Sequence, residues 1–123
     1  MHKLAFFLVP LLALPACLMM PEAKGPSPEE ARAFASALEK MCDVDRQAGL
    51  QADAEPLGVG AKRTAWITEN VGNPDVIELR TLMSVKGAAE QATMLRARVK
   101  EAGLPGCALA ETLARTGEGG LSP

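Results

Sequence analysis

An all-α fold, a small bundle of four to five helices stapled by one disulfide, is what this sequence predicts, and three observations carry that prediction. Ala, Leu, Glu, Lys and Arg make up much of the chain, and these residues have the strongest intrinsic helix propensities. Apolar residues recur at three- and four-residue spacings in several segments, as one face of a helix requires. No run rich in Val, Ile, Thr and aromatics alternates with period two, as a half-buried strand would. With 123 residues there is room for one domain only. It is aromatic-poor: apart from Phe6 and Phe7, only Phe34 and Trp66 are available to it.

The first helix is the best marked. In "SPEE", Ser27 can cap, Pro28 suits the first helical position, and Glu30 completes a capping box with Ser27. Phe34, Leu38, Met41, Cys42 and Ala48 then share one broad face, so Cys42 is expected to point inward. Gly49 is a natural terminator, and "LQADAEPLGVG" after it reads as a loop. A second helix is expected from about Ala61 to Val71, with Trp66, Ile67 and Val71 inside and Lys62, Arg63 and Glu69 mainly outside. Asn73 can cap and Pro74 can begin a third helix running to about Lys86. Val76, Leu79 and Met83 form its main stripe. Ile77, Leu82 and Val85 lie elsewhere around it, the pattern of a buried central element. After Gly87, a fourth helix from Ala88 to Ala102 carries Ala88, Ala92, Leu95, Val99 and Ala102. "EAGLPG" closes it with Gly103 in the left-handed position and Pro105 beyond. A short fifth helix carries Cys107, Ala110, Leu113 and Ala114.

The opening segment has another purpose. His2 and Lys3 precede an uncharged run from Leu4 to Met20, the layout of a targeting signal. Pro10 and Pro15 interrupt the run, which is short for a membrane span. "LPAC", Leu14-Pro15-Ala16-Cys17, resembles the lipobox of bacterial lipoproteins: Leu14, Ala16 and Cys17 match the pattern, while Pro15 stands where a small or β-branched residue is usual. The resemblance covers the first 17 residues and implies diacylglyceryl transfer to the Cys17 sulfur, cleavage before Cys17 and acylation of the new amino group. The expected organisation is then a signal peptide at 1–16, a lipidated linker at 17–27 rich in Pro and Gly, a helical domain at 28–116, and a disordered tail at 117–123. Beyond residue 16, 12 basic residues face 15 acidic ones, a formal charge of −3 that argues against a nucleic-acid partner.

With Cys17 given to lipid, Cys42 and Cys107 remain, and export places them where an isolated pair is expected to be bridged. A redox couple is the alternative, but there is no C-x-x-C, and Asp43 and Asp45 would raise a neighbouring thiol's pKa. The only histidine is His2, inside the signal, so neither a zinc set nor a Ser-His or Cys-His arrangement is expected, and no metal or cofactor is predicted. "DVDR" gathers Asp43, Asp45 and Arg46 into a solvated helix terminus, or into a binding or catalytic site if a concave pocket lies there. "GVGAK" lacks the spacing and the Lys-Ser/Thr pair of a phosphate loop. Arg96, Arg98 and Lys100 point in different directions around their helix and read as a solvated face. Trp66 is expected to anchor the core; exposed, it would be the best candidate for a partner-binding hot spot.

Together these features predict an exported protein, lipid-anchored to the bacterial membrane and facing the periplasm. They describe a non-enzymatic accessory or binding module of the cell envelope, with the membrane as one partner and an envelope protein as another. The alternative is an envelope thiol-disulfide protein using Cys42 and Cys107.

Overall fold

The capping signal in "SPEE" forms as its residues require. Ser27 Oγ accepts from the Glu30 N–H at 3.2 Å while Glu30 Oε2 accepts from the Ser27 N–H at 2.8 Å, satisfying two donors that a helix start leaves without partners. Ser27→Ala is expected to lower stability by about 1 kcal/mol in urea unfolding. Ser27→Asp should retain most of it, because an aspartate side chain also accepts from the Glu30 N–H.

The computed structural model describes residues 25–50 and 56–123, with side chains described from Gly58 onward in the second stretch. The expected signal, Cys17 and the linker up to residue 24 lie outside the described residues. Among the described residues six helices follow one another: α1 Pro28–Cys42, α2 Val44–Gln47, α3 Pro56–Asn70, α4 Pro74–Ser84, α5 Ala88–Glu101 and α6 Ala108–Thr116. Among the described residues there is no strand. The α5 and α6 helices pack along their lengths, α1 lies against α4 and α6, α2 against α3, and α4 against α5.

The helix count exceeds expectation because the first predicted helix is two. At Asp43 the backbone leaves helical geometry (φ −98°, ψ 15°), and the change of direction brings Val44 to full burial. Asn73 caps α4 as predicted, its Oδ1 accepting from the N–H groups of Asp75 and Val76. Gly103 closes α5 at φ 72°, a conformation that favours glycine, and the next N–H, of Leu104, reaches back to Val99 O at 3.0 Å.

The core is aliphatic and sulfur-rich. Leu38, Met41, Ile67, Met83, Leu95, Leu109 and Leu113 are its largest fully buried apolar side chains. Trp66 packs against this cluster from a half-buried position, so the tryptophan supports the core without forming its centre.

Five expectations are corrected. The α3 helix begins at Pro56, so "GVG" is helical: Val59 and Gly60 are buried, and tertiary contact overrides the low helix propensity of two glycines. Arg63, expected outside, is 4% exposed. The α4 helix is a flank, not the centre, since Ile77, Leu82 and Val85 are exposed, Val85 at 74%. In α6 the inner face is Leu109, Ala110 and Leu113, with Ala114 outside and Cys107 preceding the helix as its cap residue. The segment 117–123, expected to be disordered, lies against α3 and α5 as a strap. Its Leu121 is 3% exposed within the core cluster, and Gln91 and Thr64 bond its backbone.

Candidate functional site

The predicted pairing of Cys42 with Cys107 is present, with Cα atoms 4.9 Å apart. It joins the last residue of α1 to the residue that caps α6. Cys42 also lines an open groove of about 790 Å³ on the surface formed by α1, α2 and the α3–α4 turn. Polar walls of that groove include Glu39, Lys40, Asp43, Arg46, Gln47 and Asn70.

Local geometry settles what these groups can do. Lys40 Nζ donates to Asn70 O at 3.1 Å, putting a cation at the carbonyl end of α3, where the helix dipole favours it. Asp43 receives Arg46 Nε at 3.0 Å and Gln47 Nε2 at 3.1 Å, with a second contact from Arg46 Nη2. The Arg46 hydrogen bonds hold the Asp43 carboxyl below its usual range, opposed by burial and assisted by Gln47 and the Arg46 charge. The same partnership raises the Arg46 guanidinium. A carboxylate kept ionised in this way is unsuited to donate a proton near neutral pH.

A pH experiment checks this arrangement. Because the folded pKa is depressed, Asp43 contributes stability above its unfolded pKa, and that contribution is lost as pH falls through about 4 and below. The melting temperature of wild type is therefore expected to exceed that of Asp43→Asn at neutral pH, and the gap should close on acidification. Added salt should narrow the gap too, since the pair is exposed and screened.

Asp45 faces elsewhere. Its two oxygens receive Arg63 Nε and Nη2, each at 2.7 Å, in a bidentate pair, and Arg63 Nη1 donates to Gly119 O at 2.6 Å. The two aspartates of "DVDR" thus do not share a site: Asp43 borders the groove, whereas Asp45 ties α2 to α3 and the strap. Trp66 does not line the groove. The basic cluster of α5 is likewise divided, with Arg96 paired bidentately to Glu111 on α6 at 3.0 and 2.9 Å. Arg98 lies 5.2 Å from the centre of the Phe34 ring.

Sequence reasoning missed the most connected polar residues, Arg63 and Gln91. Gln91 is 1% exposed. Its one available signal is position: it stands four residues before Leu95, on the apolar side of α5. Arg63 has the same signal, four residues before Ile67, but its partners come from α2 and the strap and no local pattern announces them.

Among the described residues no three His, Cys, Asp or Glu side chains are grouped to hold a metal ion, and no helix is long and apolar enough to cross a membrane. Comparison with known proteins returns no match to a family model, a curated protein or a solved structure.

Proposed function

We propose that this protein is a lipid-anchored, non-enzymatic accessory module of the bacterial cell envelope, tethered through Cys17, that binds an envelope protein through the outer face of α4. The observation that carries the binding reading is the exposure of Ile77, Leu82 and Val85. Leu82 also lines a shallow groove of about 430 Å³ between α4 and α5, with Leu79, Met94 and Ala97 and the charged Asp75, Glu78 and Arg98. Large aliphatic side chains left exposed on a helix and at its end are a common mark of a protein contact. The tethering rests on the likeness of Leu14-Pro15-Ala16-Cys17 to a lipobox, and the Cys42–Cys107 bridge is in keeping with an oxidising compartment.

Intact mass of the membrane-extracted protein tests the tether. A chain starting at Cys17, carrying acyl groups and lacking two hydrogens for the bridge, is the expected result; an unmodified chain retaining Met1 would overturn it. A photo-reactive residue at Leu82 tests the surface. A discrete protein adduct in cells, absent when the same probe replaces Lys62, is expected, and lipid adducts alone or none would remove the protein partner.

The second reading, a thiol-disulfide role for Cys42 and Cys107, has one supporting observation, that Cys42 borders the polar groove. Against it, both cysteines are buried and Asp43 follows Cys42 directly. A carboxylate there disfavours the thiolate that exchange needs. Thiol titration under mild reductant decides it: an unreduced bridge excludes the redox role.

A further inference from the structure

The strap is held in a way that ordinary tail packing does not require. Four backbone groups of residues 119, 121 and 122 are read by side chains. Gly119 O accepts from Arg63 Nη1. The Leu121 N–H donates to Gln91 Oε1 at 2.7 Å, and Leu121 O accepts from Gln91 Nε2 at 3.1 Å. The Ser122 N–H donates to Thr64 Oγ1 at 2.9 Å. Gln91 therefore offers its amide to Leu121 as a neighbouring strand would offer a peptide group. Its remaining proton goes to Lys86 O at 2.9 Å, so this buried amide is fully satisfied.

Shape adds selectivity to these bonds. The Leu121 side chain enters the core cluster. Gly119 has φ 73°, and a Cβ there would press on Val59 Cγ1 at 2.8 Å and Arg63 Nη1 at 2.7 Å. A Cβ at Gly120 would lie 3.0 Å from the Gln91 amide. On the opposite wall, any side chain at Gly60 would overlap the Gly120 carbonyl. The bare patch of α3 at Gly60 is what lets the strap backbone approach. Main-chain hydrogen bonds combined with one side-chain pocket are how extended peptides are recognised elsewhere.

We infer that the cleft between α3 and α5 is a binding site for an extended Gly-Gly-Leu-Ser peptide, loaded in cis by residues 119–122 and open to the same segment of a second copy when the strap is released. The inference does not depend on the lipid anchor or on the α4 surface. It makes the strap a competitor for its own cleft.

The test uses a fluorescent peptide of residues 117–123, Gly-Glu-Gly-Gly-Leu-Ser-Pro, followed by anisotropy against three proteins: the full chain, the full chain with Leu121→Ser, and a chain ending at Gly117. A short tether keeps the cis segment at millimolar effective concentration, so affinity for the peptide is expected to rise about tenfold or more from the full chain to the released ones. A peptide with Gly120→Val should lose binding, and Gly60→Ala introduced into the Leu121→Ser chain should abolish it as well. Equal affinity across the three proteins, equal binding of the Gly120→Val peptide, or no binding by the released chains while they keep their helical circular dichroism would each overturn the inference. If the shortened chain loses helicity, its recovery with the peptide, and not with the Gly120→Val peptide, supports the site; failure to recover overturns it.

Discussion

Replacing Cys42 and Cys107 together by alanine is expected to lower the free energy of unfolding by about 4 kcal/mol, the entropy that a long cross-linked loop removes from the unfolded chain. The bridge spans 65 positions, from the end of α1 to the cap of α6. The closed loop contains α2 to α5, while α1, α6 and the strap lie outside it. For a domain whose net stability is in the range of about 5–15 kcal/mol, that loss brings unfolding within reach of mild conditions. The constraint is a property of the pair, so Cys42→Ala and Cys107→Ala alone should each cost nearly as much as the double substitution. Urea unfolding provides the measurement. The slope should also steepen, because an unbridged unfolded chain exposes more surface. A loss below about 1 kcal/mol would show that the native packing, not the covalent loop, carries the stability.

The Arg63–Asp45 pair gives the second large effect, and its size depends on which partner is removed. Asp45→Ala leaves a buried guanidinium, 4% exposed at the residue level, with Gly119 O as its remaining partner. Stripping one partner from a fully buried pair costs about 3–5 kcal/mol. The Asp45 side chain is 32% exposed, which lets water soften the result to about 2–3 kcal/mol. Arg63→Met should cost less, about 1 kcal/mol, because it removes the buried charge, keeps the volume and leaves Asp45 in touch with water. Asp45→Ala added to Arg63→Met should then change little. Urea unfolding of the four proteins completes a double-mutant cycle. Equal losses for the two single substitutions, with no coupling, would mean that the pair behaves as a surface contact.

Local signals in the chain were legible where one residue acts on its neighbours. Ser27, Pro28 and Glu30 start α1, and Asn73 starts α4 at Pro74, through hydrogen bonds no more than three residues long. Likewise the stripes Leu38–Met41–Cys42 and Ala92–Leu95–Val99 could be read from helical periodicity and are buried as expected. Where the sequence misled, the deciding partner was distant. Gly60 looks like a loop residue until the strap, whose Gly120 carbonyl lies against it, requires a bare helix surface. Leu121, alone among glycines and polar residues, looks unbound until the pocket beside Gln91 is assembled. Ile77, Leu82 and Val85 suggested a central helix because hydrophobicity alone does not say which side a neighbour will cover.

The candidate site was legible to a smaller degree. Cys42 and Cys107 could be paired by counting, since two cysteines admit one pairing once Cys17 has another assignment. Asp43 and Asp45 could be singled out, yet not separated, because the turn at Asp43 that sends one to Arg46 and the other to Arg63 is a product of packing. Composition and periodicity by themselves determined the all-helical class, the capped starts of α1 and α4, and the inward cysteine at the end of α1, all consequences of short-range backbone and side-chain preferences. The tertiary structure alone decided that Arg63 and Gln91 are buried and that residues 119–122 form a strap. A buried polar group is tolerable only when its partners are brought to it, and all but Lys86 O of those partners lie between 18 and 56 positions away along the chain.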